Sequence, residues 1–342
     1  MATNTAPSPV VSIIVVSYNT RDLTLRCLET VFEQTTIPFE LIVIDNASND
    51  GSADAIEASF GDRIHFIRSD TNHGFARANN IASKRARGEW LLLLNPDTEV
   101  LDHAIDRLVA FAETLPDAGI YGGRTVFPDR SLNIASCWNR ITLWSLFCHA
   151  TGLSAAFSGS EVFNTEGMGS WARDTVRRVD IVVGCFLLTR VETWERLGGF
   201  DTSYWMYGEE SDLCLRARRL GMHPIINPDA VIVHLVDASA PKRAGKLTLV
   251  AKARVTLVKR HFSSVNRPLG LGLIWIWGAA RRVASGLLAR ISPGRWGESA
   301  ELWREVWGDR GDWLRGYPAS DRNEECPADT ASTPSHEIGS AS

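Results

Sequence analysis

Five consecutive apolar residues, Trp90-Leu91-Leu92-Leu93-Leu94, leave no polar face and then stop at Asn95-Pro96. A run of that kind reads as a strand buried on both sides, because a strand with one solvated face would alternate, and proline cannot extend the ladder. Asp97 therefore stands just past a strand's carboxyl end, the edge at which open α/β sheets bind ligands. A carboxylate delivered there by a rigid strand is a candidate ligand for a metal or a sugar. Read alone, Asn-Pro-Asp is also ordinary turn chemistry, so its meaning rests on the rest of the chain.

The preceding residues repeat one pattern. Residues 10–17 (VVSIIVVS) form a β-branched apolar run closed by Tyr18-Asn19-Thr20 as turn and cap. Leu23, Leu25, Leu28, Val31 and Phe32 then fall near helical spacing, which predicts an amphipathic helix ending before Pro38. A second strand over 39–44 ends in the polar stretch Asp45-Asn46-Ala47-Ser48-Asn49-Asp50-Gly51-Ser52, suited to turns and caps. A third strand over 64–67, the loop Asn72-His73-Gly74-Phe75 and a helix over 76–87 lead to the run at 90–94. Strands alternating with helices at this spacing predict an α/β fold with a mostly parallel, Rossmann-like sheet flanked by helices. The carboxyl ends of strands one, two and four then bring Tyr18, Asp45 and Asp97 to one edge. Neither G-x-G-x-x-G after the first strand nor G-x-x-x-x-G-K-[ST] anywhere is present, which demotes dinucleotide oxidoreductases and P-loop NTPases.

The second half departs from simple alternation. Residues 126–180 are irregular and rich in Trp, Phe and Gly, which predicts loops and short elements walling a substrate site. Residues 179–188 are strand-like again, with Gly184 interrupting them where a ligand or backbone approaches closely. A short helix over 191–197 precedes Gly198-Gly199-Phe200-Asp201, and Trp205 then leads into Glu209-Glu210-Ser211-Asp212. Crowded carboxylates are costly unless a cation or ligand uses them. The plain alternative is a helix N-terminus whose dipole favours acids.

Charge divides the chain sharply. Residues 238–297 contain twelve Lys or Arg and no Asp or Glu, so a net charge of −4 leaves −16 on the remainder. On charge alone this block faces anionic lipid, a lipid-linked phosphate or nucleic acid. Within it, residues 269–280 (LGLGLIWIWGAA) are apolar over about half the roughly 20 residues of a membrane span. Arg267, Arg281 and Arg282 flank them, the profile of an interfacial segment. A helix pair with a solvated basic face is the equal alternative. No basic-then-apolar leader opens the chain, and the six cysteines include no C-x-x-C pair. These features predict a cytoplasmic protein with reduced thiols, placed peripherally at the inner face of the cell membrane. Four segments follow: a flexible start over 1–9, a folded domain over 10–240 whose strand–helix alternation ends at 125, a basic helical extension over 241–317 and a disordered tail over 318–342.

Taken together, VSIIVVSYN at 11–19, VIDNASNDGS at 43–52, NHGFARANN at 72–80, LLLLNPDT at 91–98, GGFD at 198–201 and YGEESDLCLR at 207–216 resemble the family 2 glycosyltransferases. They are most similar to the bacterial rhamnosyltransferase-like branch that builds cell-surface polysaccharides. The resemblance implies a GT-A fold, with a nucleotide-sugar half over 10–125 and an acceptor half over 126–240, and an inverting hexosyltransferase-class enzyme. It would take a nucleoside-diphosphate sugar, with rhamnose one candidate, to a glycan or lipid-linked acceptor, with no nucleic-acid partner. By position, Asp45 resembles the acid that binds base or ribose, and Asn95-Pro96-Asp97 stands at the D-x-D motif with only its second acid kept. Asp97 would hold Mg²⁺ or Mn²⁺, joined by His234, where relatives often carry a histidine near the diphosphate. Glu210 occupies the place of the catalytic base, with Glu for Asp and Glu209 as its rival. Asn72, Gly74 and Arg77 belong to the donor loop, where Gly74 also reads as a turn glycine and Arg77 as a solvated helix residue. Trp205 is a candidate sugar platform or ordinary core. Asp212 joins the substrate-binding set, or pairs with Arg216 at i, i+4. A nucleotidyltransferase and a non-catalytic sugar-nucleotide scaffold are the competing readings.

Overall fold

A computed structural model describes residues 8–235 and 243–318. In chain order the first half runs β1 (Val11–Ser17), α1 (Arg21–Gln34), β2 (Phe39–Asn46), α2 (Ser52–Phe60), β3 (His65–Ser69), α3 (Gly74–Ser83), β4 (Trp90–Leu94), β5 (Thr98–Val100), α4 (Ala104–Thr114) and β6 (Ile120–Val126). Short pieces follow: β7 (Leu132–Asn133), β8 (Cys137–Trp138), α5 (Leu143–Thr151), α6 (Leu153–Ala156), β9 (Arg177–Arg178) and β10 (Ile181–Val182). The domain closes with β11 (Phe186–Arg190), α7 (Val191–Leu197), α8 (Glu209–Arg219) and β12 (Ile225–His234). Beyond it lie α9 (Arg243–His261), α10 (Asn266–Ile291), α11 (Pro293–Gly308) and α12 (Arg310–Trp313).

The main sheet is ordered β3-β2-β1-β4-β11-β6-β12-β5. Its first four strands are parallel, as their continuous apolar runs predict. Alternate residues of each run go to opposite faces. Ile13, Val15, Leu41, Val43, Leu92 and Leu94 join one core with α1, α2 and α4. Ile14, Ile42, Ile44, Leu91 and Leu93 join the other with α3, α7 and α8. Past β4 the parallel expectation gives way to a mixed sheet, because β11 enters antiparallel to both β4 and β6, and β5 is antiparallel to β12. Such pairings join elements distant in sequence and leave no local periodicity.

The helix expected over 76–87 spans 74–83 instead. It stops short because the Arg87 backbone N–H and side chain are both taken by the buried Glu40 (2.5 and 2.8 Å). The strand-like run at 179–188 divides into β10 and β11 on either side of Gly184.

The basic extension packs on the domain. Ala251, Val255, Val258, Ile274 and Trp313 bury a core with Leu146 of α5. Tyr317 stacks near Tyr204 (5.4 Å) and donates to the Met206 carbonyl (2.6 Å), so the end of the extension holds the loop before α8. Among the described residues no helix is long and apolar enough to cross a membrane. The described cysteines are all free and buried, while Cys326, Lys242, residues 1–7 and the tail from 319 lie outside the described residues.

Candidate active site

The carboxyl ends of β1, β2 and β4 open onto a cavity of about 1400 Å³. Tyr18, Asn72, Gly74, Asn95, Asp97, Gly184, Trp205, Glu209, Glu210 and His234 all line it. Asp45, Arg77 and Asp212 do not.

Asp97 leaves β4 through the Asn95-Pro96 break, and β12 delivers His234 opposite. The Leu235 N–H donates to the Asp97 carbonyl (3.0 Å), and His234 Nε2 lies 3.5 Å from Asp97 Oδ1. Both side chains are buried, and His234 Nδ1 has no partner among the described residues. Burial opposes the His234 charge, but Cys185 and Asp97 beside it outweigh that and raise its pKa to about 10. Among the described residues no group of three or more His, Cys, Asp or Glu is placed to hold a metal. The protein thus offers one carboxylate and one imidazole that has to give up its proton to ligate. That pair fits a divalent cation completed by diphosphate oxygens and water, the usual way Mg²⁺ is held at phosphate-transfer sites.

The donor loop is shaped by contacts that local patterning did not reveal. Asn46, at the end of β2, donates to Asn72 Oδ1 (3.0 Å) and the Gly74 carbonyl (3.3 Å), and accepts the His73 N–H (2.8 Å). It also lines the cavity, and its place directly after Asp45 was the only sequence signal for it. Gly74 has φ +71°, and a Cβ there would lie 2.7 Å from the Trp205 carbonyl, so the glycine is needed for both reasons. Trp205 is 46% exposed, an aromatic face presented to the cavity rather than core. Asp45 accepts the Ser48 N–H (3.0 Å), while its Oδ1 is buried without a donor.

The acids open α8 behind a sharp turn. Tyr207 (φ 68°) and Gly208 (φ 94°) are both left-handed, costly for tyrosine, and aim the first turn at the cavity. Burial and the neighbouring Glu210 carboxylate push the Glu209 pKa well above its ordinary value. Glu210 is also raised by burial, but backbone donors and a hydrogen bond from Glu209 oppose this. The two carboxyls thus share one buried site, in which each holds a proton more tightly than a solvated carboxylate does. Gly184 brings the backbone of the turn between β10 and β11 close: a Cβ there would meet Phe75 (3.3 Å) and the Glu210 Cβ (3.9 Å). Asp212 points away, held by Arg216 Nε (2.7 Å) and His261 Nε2 (2.7 Å). Arg77 lies on α3, outside the lining, with its charge near His73. These two placements favour the pairing and helix-face readings over substrate contact.

Residues 12–174 match the family described as Glycosyl transferase family 2, and residues 174–238 match one described as N-terminal domain of galactosyltransferase. The second match carries α7, the Trp205 loop, α8 and His234. Residues 12–174 thus form a family 2 glycosyltransferase domain.

This glycosyltransferase chain is 29% identical over 241 residues to the O-antigen biosynthesis protein RfbC of Myxococcus xanthus, covering 68% of this chain. It spans only 18% of that relative's own length, and 25% of an uncharacterized Sinorhizobium fredii protein to which it is 28% identical. It is 25% identical over 296 residues to a Mycobacterium tuberculosis N-acetylglucosaminyl-diphospho-decaprenol L-rhamnosyltransferase, covering 83% of this chain and 94% of that one. In fold it is similar to the mannosyltransferase PcManGT of Pyrobaculum calidifontis, solved with GDP-Man and Mn²⁺. That likeness has a TM-score of 0.54 at 20% identity and covers 90% of this chain and 89% of the other. The fold is GT-A.

Proposed function

We propose that this chain is an inverting glycosyltransferase that moves a sugar from a nucleoside diphosphate to a hydroxyl of a cell-surface glycan or lipid-linked acceptor. The observation that carries this reading is the single cavity joining the Asp97–His234 pair to the Glu209–Glu210 pair. A single displacement needs a base on the acceptor side and charge stabilisation on the leaving-group side, and both are present. The acceptor's nature is supported by the cavity lining, where Trp138, Ile141, Leu249 and Leu257 accompany Arg219, with Arg218 and Arg254 already paired to Asp180 and Glu166. An apolar wall with a cation suits a lipid carried on phosphate better than a bare glycan.

In this mechanism Asp45, buried behind the lining, holds the Ser48 N–H, and Asn72, Gly74 and Asn95 shape the donor pocket. Trp205 offers its face to a sugar ring. Glu210 accepts the proton of the attacking hydroxyl while Glu209 stays protonated and donates to it. Asp97 and His234 would hold Mg²⁺ or Mn²⁺, which supplies charge to offset the departing diphosphate. Rhamnose on dTDP, galactofuranose on UDP and other hexoses remain as donors to be ranked. The basic extension carries no acid from 243 to 297, which supports peripheral contact with the inner face of the membrane.

Screening a panel of nucleotide sugars with Mn²⁺ for thermal stabilisation, then for product, tests the reading. Stabilisation grows with ligand concentration over Kd. A donor that is bound and turned over with an acceptor sustains it. Binding without turnover under every acceptor tried turns the reading to a scaffold.

A further inference from the structure

The 26-residue helix α10 turns an apolar stripe outward. Its buried face is Gly270, Ile274, Gly278 and Ser285. The glycines there allow close packing, since a Cβ on Gly270 would meet Val258 and Phe262 of the α9 region, and one on Gly278 would meet Trp313. Opposite, at spacings of three, four and seven, stand Leu269, Ile276, Ala280, Val283, Leu287 and Ile291, every one exposed. Val283 is 59% and Ile291 81% accessible. At about 1.5 Å rise per residue the stripe is roughly 33 Å long. A solvated helix has its polar residues on that face, so this one is built to be covered.

What covers it is argued from charge. Arg281, Arg282 and Arg290 lie on the same helix, which contains no Asp or Glu. Among the described residues no carboxylate pairs with any of the three; the acids of α11, Glu298, Glu301 and Glu305, pair with none of them. Two copies meeting through this stripe would bring arginines against arginines. An anionic surface meets no such penalty. Arg282 and Arg290 also flank an open, shallow groove on the helix's own surface, with Val283, Gly286 and Leu287 between them. An apolar floor between two guanidiniums is the chemistry of a phospholipid, acyl chain below and phosphate between the cations.

We infer that the outward stripe of α10 is a membrane-docking surface that lies flat in the interface of an anionic bilayer, with the Arg282–Arg290 groove taking an acidic lipid headgroup. This rests on the proposed peripheral contact and deepens it by naming the face and the lipid. The placement serves the reaction: Asn266, the first residue of α10, lines the large cavity, so a bilayer along the helix meets the cavity rim. A lipid-borne acceptor then enters without leaving the interface. Packed against α10, α5 leaves Trp144 and Phe147 exposed, aromatic residues of the kind that anchor at the headgroup level.

The test is flotation of the full chain with vesicles of phosphatidylcholine alone and of phosphatidylcholine mixed with phosphatidylglycerol. Wild type is expected to float with the anionic vesicles only. Val283→Glu/Leu287→Glu should abolish flotation while keeping circular dichroism and nucleotide-sugar stabilisation. Arg282→Gln/Arg290→Gln should weaken binding roughly 30-fold, from about 5-fold per charge near an anionic surface. If wild type floats and the Glu variant floats equally, the docking face is wrong while peripheral contact stands. If wild type does not float at low salt, both fall. Equal flotation with neutral vesicles overturns the headgroup assignment. A dimer in sedimentation that the Glu variant dissolves, without vesicle binding, gives the stripe to a second copy and overturns the inference.

Discussion

Arg254 of α9 grips Glu166 with both terminal nitrogens (2.5 and 2.8 Å), and His149 of α5 approaches the same carboxylate (3.5 Å). Three separate pieces of chain thereby meet at one charge on the cavity wall. Burial pushes the Glu166 pKa up, but Arg254 and His149 outweigh it and hold it down to about 2. A carboxyl depressed on folding contributes stability above its unfolded pKa and loses it as pH falls through the folded value. Urea unfolding should therefore show stability declining from about pH 4.5 towards pH 2, with a flatter profile in Glu166→Gln. Arg254→Ala strands a buried carboxylate and should cost about 3–5 kcal/mol at pH 7. An unchanged unfolding midpoint in that variant would show the network to be dispensable.

A second expected outcome concerns the donor loop. Gly74→Ala places a methyl 2.7 Å from the Trp205 carbonyl at φ +71°. The left-handed penalty is roughly 1–2 kcal/mol before the clash is relieved. The loop has to shift, and the Phe75 N–H bond to Trp205 (3.2 Å) goes with it. Thermal melts with and without a nucleotide sugar should show a modest loss of stability and a large loss of ligand-induced stabilisation. A variant that melts lower but keeps its full ligand shift would make Gly74 a plain turn glycine.

What the sequence makes legible divides along range. β1, β2 and β4 are apolar runs long enough to speak for themselves, and Tyr18 and Asp97 follow at their ends. The same runs could not say that β11 would enter antiparallel between β4 and β6, because that pairing is decided by contacts among distant segments. Asp212 and Arg216 were readable as an i, i+4 pair; His261, which completes the cluster from 49 residues away, was not. Arg254 shows the same limit from the other side. In a basic run it looks like one more solvated cation, and only the fold shows that Glu166 comes to it.

Asp97→Asn is expected to leave the fold intact, since the amide matches the carboxylate in size and the Asp97 carbonyl keeps the Leu235 N–H. It removes the one carboxylate that, with His234, would face a cation. Loss of a few kcal/mol of leaving-group stabilisation corresponds to at least about 10²-fold in turnover. Titration of Mn²⁺ followed by electron paramagnetic resonance supplies a readout independent of activity. Tight Mn²⁺ binding by the variant, or full turnover in chelator, would remove Asp97 from that role.

The last prediction separates two neighbouring carboxyls. An acceptor hydroxyl is a poor nucleophile near neutral pH, and one carboxylate within hydrogen-bond reach typically contributes about 10²- to 10⁴-fold. Glu209 and Glu210 both line the cavity, both are raised by burial, and the proposed base is Glu210. Glu210→Gln should lose transfer by that factor and keep donor affinity. Glu209→Gln preserves a donor to Glu210, so its transfer should fall far less. Because burial raises the Glu210 pKa, wild-type kcat/KM should climb with pH through a midpoint above the ordinary carboxylate range, and the climb should vanish in Glu210→Gln. If Glu209→Gln alone shows the selective loss of transfer, the base is Glu209. If neither does, no carboxylate at the start of α8 removes the acceptor's proton, and the single-displacement mechanism fails with it.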